Sequence, residues 1–436
     1  MGKYGTAGWR NWAGTYAVTP ARLYHPSSPD EVADEVRRAA EDELSVKPVG
    51  AGYSSNDIAM TRGVMLNLSK LSGIIEADER TGLVTVGAGT TLRELNRDLW
   101  KLGLSLSCLG NLDAATIAGA IATGTHGTGR RFPGLASQVR RLQLVTAAGE
   151  LLECSAEQNP ELFAAARVSL GALGIITAVT LQCEPAFVLH SVEAPADYDD
   201  LLEVLARLEL KDHFEFLWFP HTRRVLTKVQ TRLPVNAPLQ PKSRARGWYD
   251  DKVLGTVFSG MNRLSSTWPG VTGKVNRMAT KALPERSYTD QAHRIVSGSG
   301  RVVFRQMEYA VPRTSLAHVL DSLDDWLQRS GEQITFPVEV RLTAADNIPL
   351  SPGFGRETCW IAVHQYHRRP HDRYFLAVEA IAREVDGRPH WGKLHYRSAE
   401  DLAPVYPLFD EFLAVRDTYD PDRRFGNDYL RRVLGS

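Results

Sequence analysis

The chain has 436 residues, 43% of them hydrophobic and 23% charged, with 51 Lys+Arg balanced against 51 Asp+Glu. That is the composition of a globular protein with core enough for two or three domains, and its zero formal charge gives no general bias toward nucleic acid or an anionic membrane. Four scattered cysteines, Cys108, Cys154, Cys183 and Cys359, form no C-x-x-C pair. They argue against a disulfide framework and exclude a cysteine zinc site; with no run of 18 apolar residues, a reduced cytoplasmic setting is expected.

Taken in chain order, Ser28-Pro29-Asp30-Glu31 predicts a helix start, with Ser28 as N-cap, Pro29 in the first turn and Glu31 closing a capping box. The helix continues through Val32, Val36 and Ala39. Val46–Val49 reads as a strand running into Gly50-Ala51-Gly52. Val64–Leu66 and Leu83–Val86 read as further strands. Thr90 or Thr91 caps a helix carrying Leu92, Leu95, Leu99 and Leu102, which Gly103 ends. Leu142–Cys154 is two β-runs around a glycine turn, a hairpin. Strands and helices mix without a regular βαβ rhythm, which predicts an α+β fold. The texture changes after Glu184-Pro185, where a domain boundary is expected. Residues 232–287 read as an irregular insertion or long connection, and from Val302 strands again alternate with helices.

The Gly50-Ala51-Gly52 loop is not a Rossmann loop, because Ser55 takes the third glycine's place, and no Gly-Lys-Ser/Thr makes it a Walker loop. A second stretch, Gly110–Arg131, places glycines at 110, 119, 124, 127 and 129 among Thr123, Thr125, His126 and Thr128. Such runs expose amide N–H groups that suit a pyrophosphate or a flat ring system. Tight packing of a helix on a sheet is the alternative, and two separated glycine-rich segments in one domain weigh against it. A third segment, Ser169–Cys183, leads through Gly174 and Ile176 into an apolar strand whose backbone could pair with a purine edge; alone it reads as a buried strand.

In Phe336–Asp346, Glu339 and Arg341 fall on one strand face and Val338, Val340 and Leu342 on the other. Trp360, Ala362, His364 and Tyr366 likewise share a face. A solvated ion pair and a structural histidine are the plain readings of these patterns. Arg388-Pro389-His390-Trp391-Gly392-Lys393 joins a cation to an aromatic ring. His364-x-x-His367 with His371 lacks a carboxylate or cysteine and adjoins Arg368-Arg369, so no metal is expected.

These segments together resemble the vanillyl-alcohol-oxidase-type flavoproteins over nearly the whole chain, from Asn11-Trp12-Ala13-Gly14-Thr15-Tyr16 onward. The resemblance is stronger to the sugar-lactone and polyol oxidoreductases: gulonolactone, arabinonolactone and galactonolactone oxidases or dehydrogenases, and alditol oxidases. VSLGALG (Val168–Gly174), ATGTHGTG (Ala122–Gly129) and RPHWGK (Arg388–Lys393) are similar to stretches of actinobacterial gulonolactone enzymes.

The resemblance implies a two-domain fold: a PCMH-type FAD-binding domain over 1–185, a substrate-capping domain of antiparallel sheet plus helices over 186–395, and a segment, 396–436, returning to the first domain. It implies that amides of Gly50, Ala51, Gly52, Tyr53, Ser54 and Ser55 hold the FAD pyrophosphate. Gly110, Asn111, Thr116, Gly119, Thr123, Gly124, Thr125, His126, Gly127, Gly174, Ile176 and Lys393 would complete the cofactor site. Tyr53 stands where many members carry a histidine bonded to the flavin, which implies non-covalent FAD. Gly110 would line the flavin's oxygen-accessible face and favour O₂ as acceptor, with Asn111 facing substrate.

For catalysis, Glu339 and Arg341 would bind the substrate hydroxyl and His364 would accept its proton. Lys393 or Arg341 would stabilise the anionic reduced flavin, and Asn427 and Tyr429 would lie near it. Rival expectations are a dehydrogenase serving a quinone or cytochrome, a tailoring oxidase acting on a larger substrate, and a flavin-binding protein without turnover.

Overall fold

The computed structural model describes residues 8–242, 270, 272–281, 283–297 and 303–436. The first half builds a three-stranded parallel sheet from Arg22–Tyr24, Val64–Asn67 and Val46–Val49. Beside it lies a five-stranded antiparallel sheet in the order Leu151–Ser155, Val139–Val145, Ile175–Gln182, Leu83–Gly87, Ile74–Asp78. The expected hairpin is the Leu142↔Cys154 register of its first two strands.

Local chemistry sets the helix ends. Ser28 Oγ accepts from the Glu31 amide at 3.2 Å and Pro29 opens the Pro29–Glu41 helix. The Glu31 carboxylate reaches Ser27 N–H at 2.7 Å rather than Ser28, so the expected capping box closes one residue early. Thr91, not Thr90, caps the Leu92–Lys101 helix, with Glu94 completing the box. Leu92, Leu95 and Leu99 turn one stripe of that helix inward, and Gly103 at φ +69° lets the chain leave it.

Between Pro185 and Phe187 the chain passes into an eight-stranded antiparallel sheet. Its central strands run in the order Arg224–Pro234, His213–Phe219, Val338–Thr343, Thr358–Tyr366, Phe304–Pro312. Period-two alternation splits them into two faces. Phe214, Phe216, Trp218, Val338, Val340, Leu342, Ile361, Val363, Met307 and Tyr309 form a core with the helices Tyr198–Leu208, Leu316–Ser330 and Asp372–Arg383. The residues between them (Glu215, Glu339, Arg341, Ala362, His364, Gln306 and Glu308) point the other way.

The 232–287 stretch is more regular than its sequence suggested. It contains the Thr272–Lys281 helix and leads into the edge strand Arg286–Gln291; residues 243–269 lie outside the described residues. The helix escaped hydrophobic periodicity because the face it buries is partly polar: Thr272, Asn276 and Thr280 are all buried. The Asn276 amide donates to the carbonyls of Pro220 and Ile334, both at 2.9 Å.

The C-terminal segment packs into the other core. Phe409, Phe412, Phe425, Tyr429, Leu430, Val433 and Leu434 join the cluster built by the first half. Lys47, buried beneath them, donates to the carbonyls of Gly171 and Phe425, both at 3.1 Å. Among the described residues no helix is long and apolar enough to cross a membrane.

Asn427 is the principal polar anchor of this return. Its oxygen caps the Asp428–Leu434 helix by accepting from Leu430 at 2.9 Å, and its amide donates to the carbonyls of Asp57, Ile58 and Met60 at 3.0–3.2 Å. Asn427→Ala removes the cap and leaves buried carbonyls unpaired, and is expected to cost about 2–3 kcal/mol. Urea unfolding checks this: a midpoint equal to wild type would mean the anchor contributes nothing.

Candidate active site

A cavity of about 550 Å³ lies between the glycine-rich segments of the first half and the polar face of the large sheet. One wall is the loop after Val46–Val49. A Cβ on Gly50 would stand 2.3 Å from Thr116 Oγ1, and Gly52 sits at φ +72°, so glycine is favoured at the first position by the Thr116 side chain and at the second by the chain path. Among the described residues, none accepts a hydrogen bond from the amides of Ala51, Gly52, Tyr53 or Ser54. Unpaired main-chain donors facing a cavity are an anion cradle. Small residues (Ala88, Gly89, Ala115, Ala118, Gly119, Ala122) make an adjoining wall smooth enough for a flat ring. This donor set and this wall fit a dinucleotide carrying a pyrophosphate and planar heterocycles.

The opposite wall is the sheet face, with Phe304, Gln306 and Glu308 on one strand, Glu339 and Arg341 on the next, and Ala362 and His364 between them. Arg341 hydrogen-bonds Glu339 on its own strand and donates from Nε to Glu215 at 3.0 Å. Burial, Glu215 and Glu308 hold the Glu339 carboxyl above its usual range despite Arg341. His364 is pushed down to about 4, first by burial and then by Lys393; its hydrogen bond to the Pro337 carbonyl works against that shift. Burial also lowers Lys393, while Glu308 and Glu339 support its charge.

Lys393 is fixed through its backbone. The Asn56 amide donates to the carbonyls of Trp391 at 2.7 Å and Lys393 at 2.9 Å, and the Ser55 amide donates to Gly392 at 2.8 Å. Trp391 is fully buried, with its indole N–H on the Leu350 carbonyl at 2.6 Å.

Glu308 heads a buried trio that the sequence did not announce. Its carboxylate lies 3.1 Å from His126 Nε2, and His390 completes a group whose ligand atoms fall within 4.8 Å of one another. Hydrogen bonds explain this group without a cation. His126 Nδ1 faces the Gly127 carbonyl at 3.0 Å and so carries hydrogen, while its Nε2 faces Glu308. His390 Nδ1 accepts from the Gly392 amide at 3.0 Å, which puts its hydrogen on Nε2, and burial pushes its pKa down to about 3. His126 also stacks on Trp360 with centroids 3.6 Å apart. The His364, His367, His371 set does not gather: His367 turns to the Val303 carbonyl and His371 to Arg305.

Most of the residues singled out in the sequence line this one cavity: Gly50 to Ser55, Asn111, Thr116, Gly119, Thr123, Thr125, His126, Gly174, Ile176, Glu339, Arg341, His364 and Lys393. Gly110, Gly124 and Gly127 do not. Their missing Cβ atoms would meet Thr125, Pro352 and the Leu109 carbonyl, so these glycines serve close packing, and the oxygen-access argument drawn from Gly110 does not carry over. Asn427 and Tyr429 brace the site from behind, Tyr429 through the Trp391 carbonyl at 3.0 Å. The Ile175–Gln182 strand is paired on both edges from Ala178 onward, so only its start around Ile176 keeps an edge open for a purine.

The sequence reading missed Glu308, Glu215 and Asn56. The two glutamates each sit as a lone acid in an alternating apolar strand (Met307-Glu308-Tyr309 and Phe214-Glu215-Phe216), the same signal that marked Glu339.

Comparison with known proteins agrees with this geometry. Residues 20–155 match the FAD binding domain family, which defines the class as a flavin-binding protein. Residues 179–433 match the D-arabinono-1,4-lactone oxidase family, and the chain belongs to that family. It is 42% identical over 433 residues to the L-gulono-1,4-lactone dehydrogenase of Mycobacterium tuberculosis, covering 98% of this chain and 99% of that one. It is 36% identical to the L-gulonolactone oxidase of Bos taurus (98% of each chain) and 32% to an alditol oxidase of Streptomyces sp. (97% and 98%). A solved cholesterol oxidase variant from Brevibacterium sterolicum superposes with a TM-score of 0.82 at 17% identity, over 98% of this chain and 97% of that one. The expected two-domain α+β fold of vanillyl-alcohol-oxidase type, an FAD-binding domain plus an antiparallel sheet with helices, is the fold of this protein.

The Gly50–Thr116 contact is testable. Gly50→Ala forces an overlap worth roughly 1–3 kcal/mol, so FAD affinity is expected to fall about ten-fold or more. Adding Thr116→Gly makes room for the new methyl and is expected to restore most of the loss. Fluorescence titration with FAD decides; a single variant that binds like wild type would show that the loop has slack.

Proposed function

We propose that this chain oxidises an alcohol group of a sugar-1,4-lactone (gulono-, arabinono- or galactonolactone-like) or of a polyol, using non-covalently held FAD. The observation that carries the reading is that two cations, Arg341 and Lys393, line with Glu339 and His364 a cavity whose other wall carries the unpaired amides of Ala51 to Ser54. The printed names of the relatives supply the substrate class.

Bound FAD supplies the acceptor for a hydride. The chain's own residues do the rest. Arg341 and Lys393 supply positive charge where negative charge develops during the reaction. Glu339 and Arg341 hold the substrate hydroxyl, whose O–H bond must break as the C–H hydride leaves and the C=O bond forms. We assign the proton to Glu339 rather than to His364, the sequence-based choice, because burial leaves the imidazole too weak a base near neutral pH while it strengthens the carboxylate. His364 remains neutral and keeps one ring nitrogen free to accept a hydrogen bond from substrate. Asn111 lines the cavity as a further substrate contact.

Tyr53 supports non-covalent FAD, since a phenol, stacked on Trp12 with centroids 5.7 Å apart, stands where an imidazole would make the link. O₂ is the proposed electron acceptor, in line with the relatives named oxidases. A quinone or cytochrome is the second reading, favoured by the relative named a dehydrogenase at 42% identity. The localisation proposed is cytoplasmic.

Acid precipitation is expected to leave yellow FAD in the supernatant; colour that stays with the pellet would refute the non-covalent link. Under anaerobic conditions, L-gulono-1,4-lactone, D-arabinono-1,4-lactone or a polyol panel is expected to bleach the flavin, and admission of air to restore it. Lys393→Met and Arg341→Ala are each expected to lower kcat/KM on the order of 10²-fold. Full kcat/KM in both would end this assignment.

A further inference from the structure

Glu215 does not line the cavity, yet it is bonded to the residue at its centre. Strand register places Glu215 opposite Lys228 on one neighbouring strand and opposite Arg341 on the other. Lys228 Nζ donates to Glu215 Oε1 at 2.9 Å, and Arg341 Nε donates to Glu215 Oε2 at 3.0 Å. Arg341 reaches Glu339 with its Nη2. The result is a row across three strands in which cation and carboxylate alternate: Lys228, Glu215, Arg341, Glu339. The exposed fraction of these side chains is 21%, 16%, 9% and 19%, so water screens the row weakly.

We propose that Glu215 is a positioning residue for alcohol oxidation: it anchors the Arg341 guanidinium from the side away from the cavity and draws off part of its charge, leaving Glu339 as the carboxylate that takes the substrate's proton. The proposal rests on the reading above in which Glu339 is the proton acceptor. The asymmetry is geometric. Glu215 touches two cations, Glu339 only one, and that one is shared. Burial alone would raise both carboxyls, but Lys228 and Arg341 bring Glu215 down to about 2 while Glu339 stays raised.

Glu339 is faced by Arg341 on its own strand, by Glu215 and Lys228 from the two strands on one side, and by Glu308 from beyond its other neighbour, with Lys393 acting across the cavity. His364 shares that wall and is neutral. The register neighbours of Glu339, Leu217 and Ala362, add no charge.

The test follows from signs. A base acting in its ionised form gives kcat/KM that rises with pH through its pKa. Glu215→Gln removes a negative charge and releases Arg341 to Glu339, so the acid limb is expected to move about one unit to lower pH. Lys228→Met removes a positive charge from the same row, so the limb is expected to move upward. A merely structural role would weaken both variants without opposite shifts.

The measurement is kcat/KM against pH on FAD-loaded enzyme with whichever lactone or polyol bleaches the flavin, L-gulono-1,4-lactone being tried first. Opposite shifts support the proposal. A wild-type limb that Glu339→Gln abolishes, but that neither variant moves or both move alike, overturns the role of Glu215 and spares that of Glu339. A wild-type profile with no such limb overturns both. If Glu215→Gln fails to fold, Lys228→Met decides alone, by an upward shift or by its absence.

Discussion

Asn56 joins the two walls of the cavity, and the site depends on that joint. Its amide holds the carbonyls of Trp391 and Lys393, while the neighbouring Ser55 amide holds Gly392. The loop with the bare amides of Ala51 to Ser54 is therefore bonded directly to the loop that presents Lys393. Two elements separated by more than 300 residues in the chain are fixed within hydrogen-bond tolerance. The constraint is reinforced from behind, where Tyr429 bonds the Trp391 carbonyl and Asn427 bonds the stretch after Asn56. The C-terminal helix thus acts as the third member of a clamp, which is why its apolar face is buried in the first core.

Burying ionised groups costs free energy, and the large sheet limits that cost by arranging them in balance. On or beside the cavity, Glu215, Glu308 and Glu339 are matched by Lys228, Arg341 and Lys393. Neutral sums do not make the groups equal. Glu215 holds two cationic partners that lower its pKa, whereas Glu339 holds one shared partner and is kept above its usual range, first by burial. One device, the alternation of a half-buried strand, provides both the apolar core on one face and this charge row on the other. The fold and the chemistry are therefore not separable: a register slip of one residue in Val338–Thr343 would exchange Arg341 for Val340.

What the sequence revealed was whatever is local. Ser28-Pro29, Thr91 with Glu94, and the alternation in Phe336–Asp346 announce themselves through neighbours one to four residues away. Glu339 and Arg341 were legible because opposite charges interrupt an apolar strand, and resemblance then gave them a place. Other features depend on distant residues. Glycine composition cannot tell a bare amide from a tight contact, so Gly50 and Gly52, which line the cavity, were read together with Gly110, Gly124 and Gly127, which do not. Thr272, Asn276 and Thr280 hid a helix because its buried face is polar, with the Asn276 amide satisfied by carbonyls far along the chain. His364 was promoted by the company of Glu339 and Arg341, and the burial that lowers its basicity is set by distant residues.

The similarity in fold to a cholesterol oxidase at 17% identity shows how little of the side-chain detail the architecture requires. The core between the sheet and its own helices is complete without the cavity-facing residues of that sheet. Those residues are free to differ among proteins of this architecture while the cavity persists. In this chain the freedom is bounded on one side by the amide cradle, which needs small residues, and on the other by the charge row, which needs its members in matched pairs. Between those limits lie Asn111, Phe304, Gln306 and His364, which line the cavity without belonging to the row or to the cradle. Replacing these neutral side chains changes the shape of the cavity and leaves the buried charges in balance.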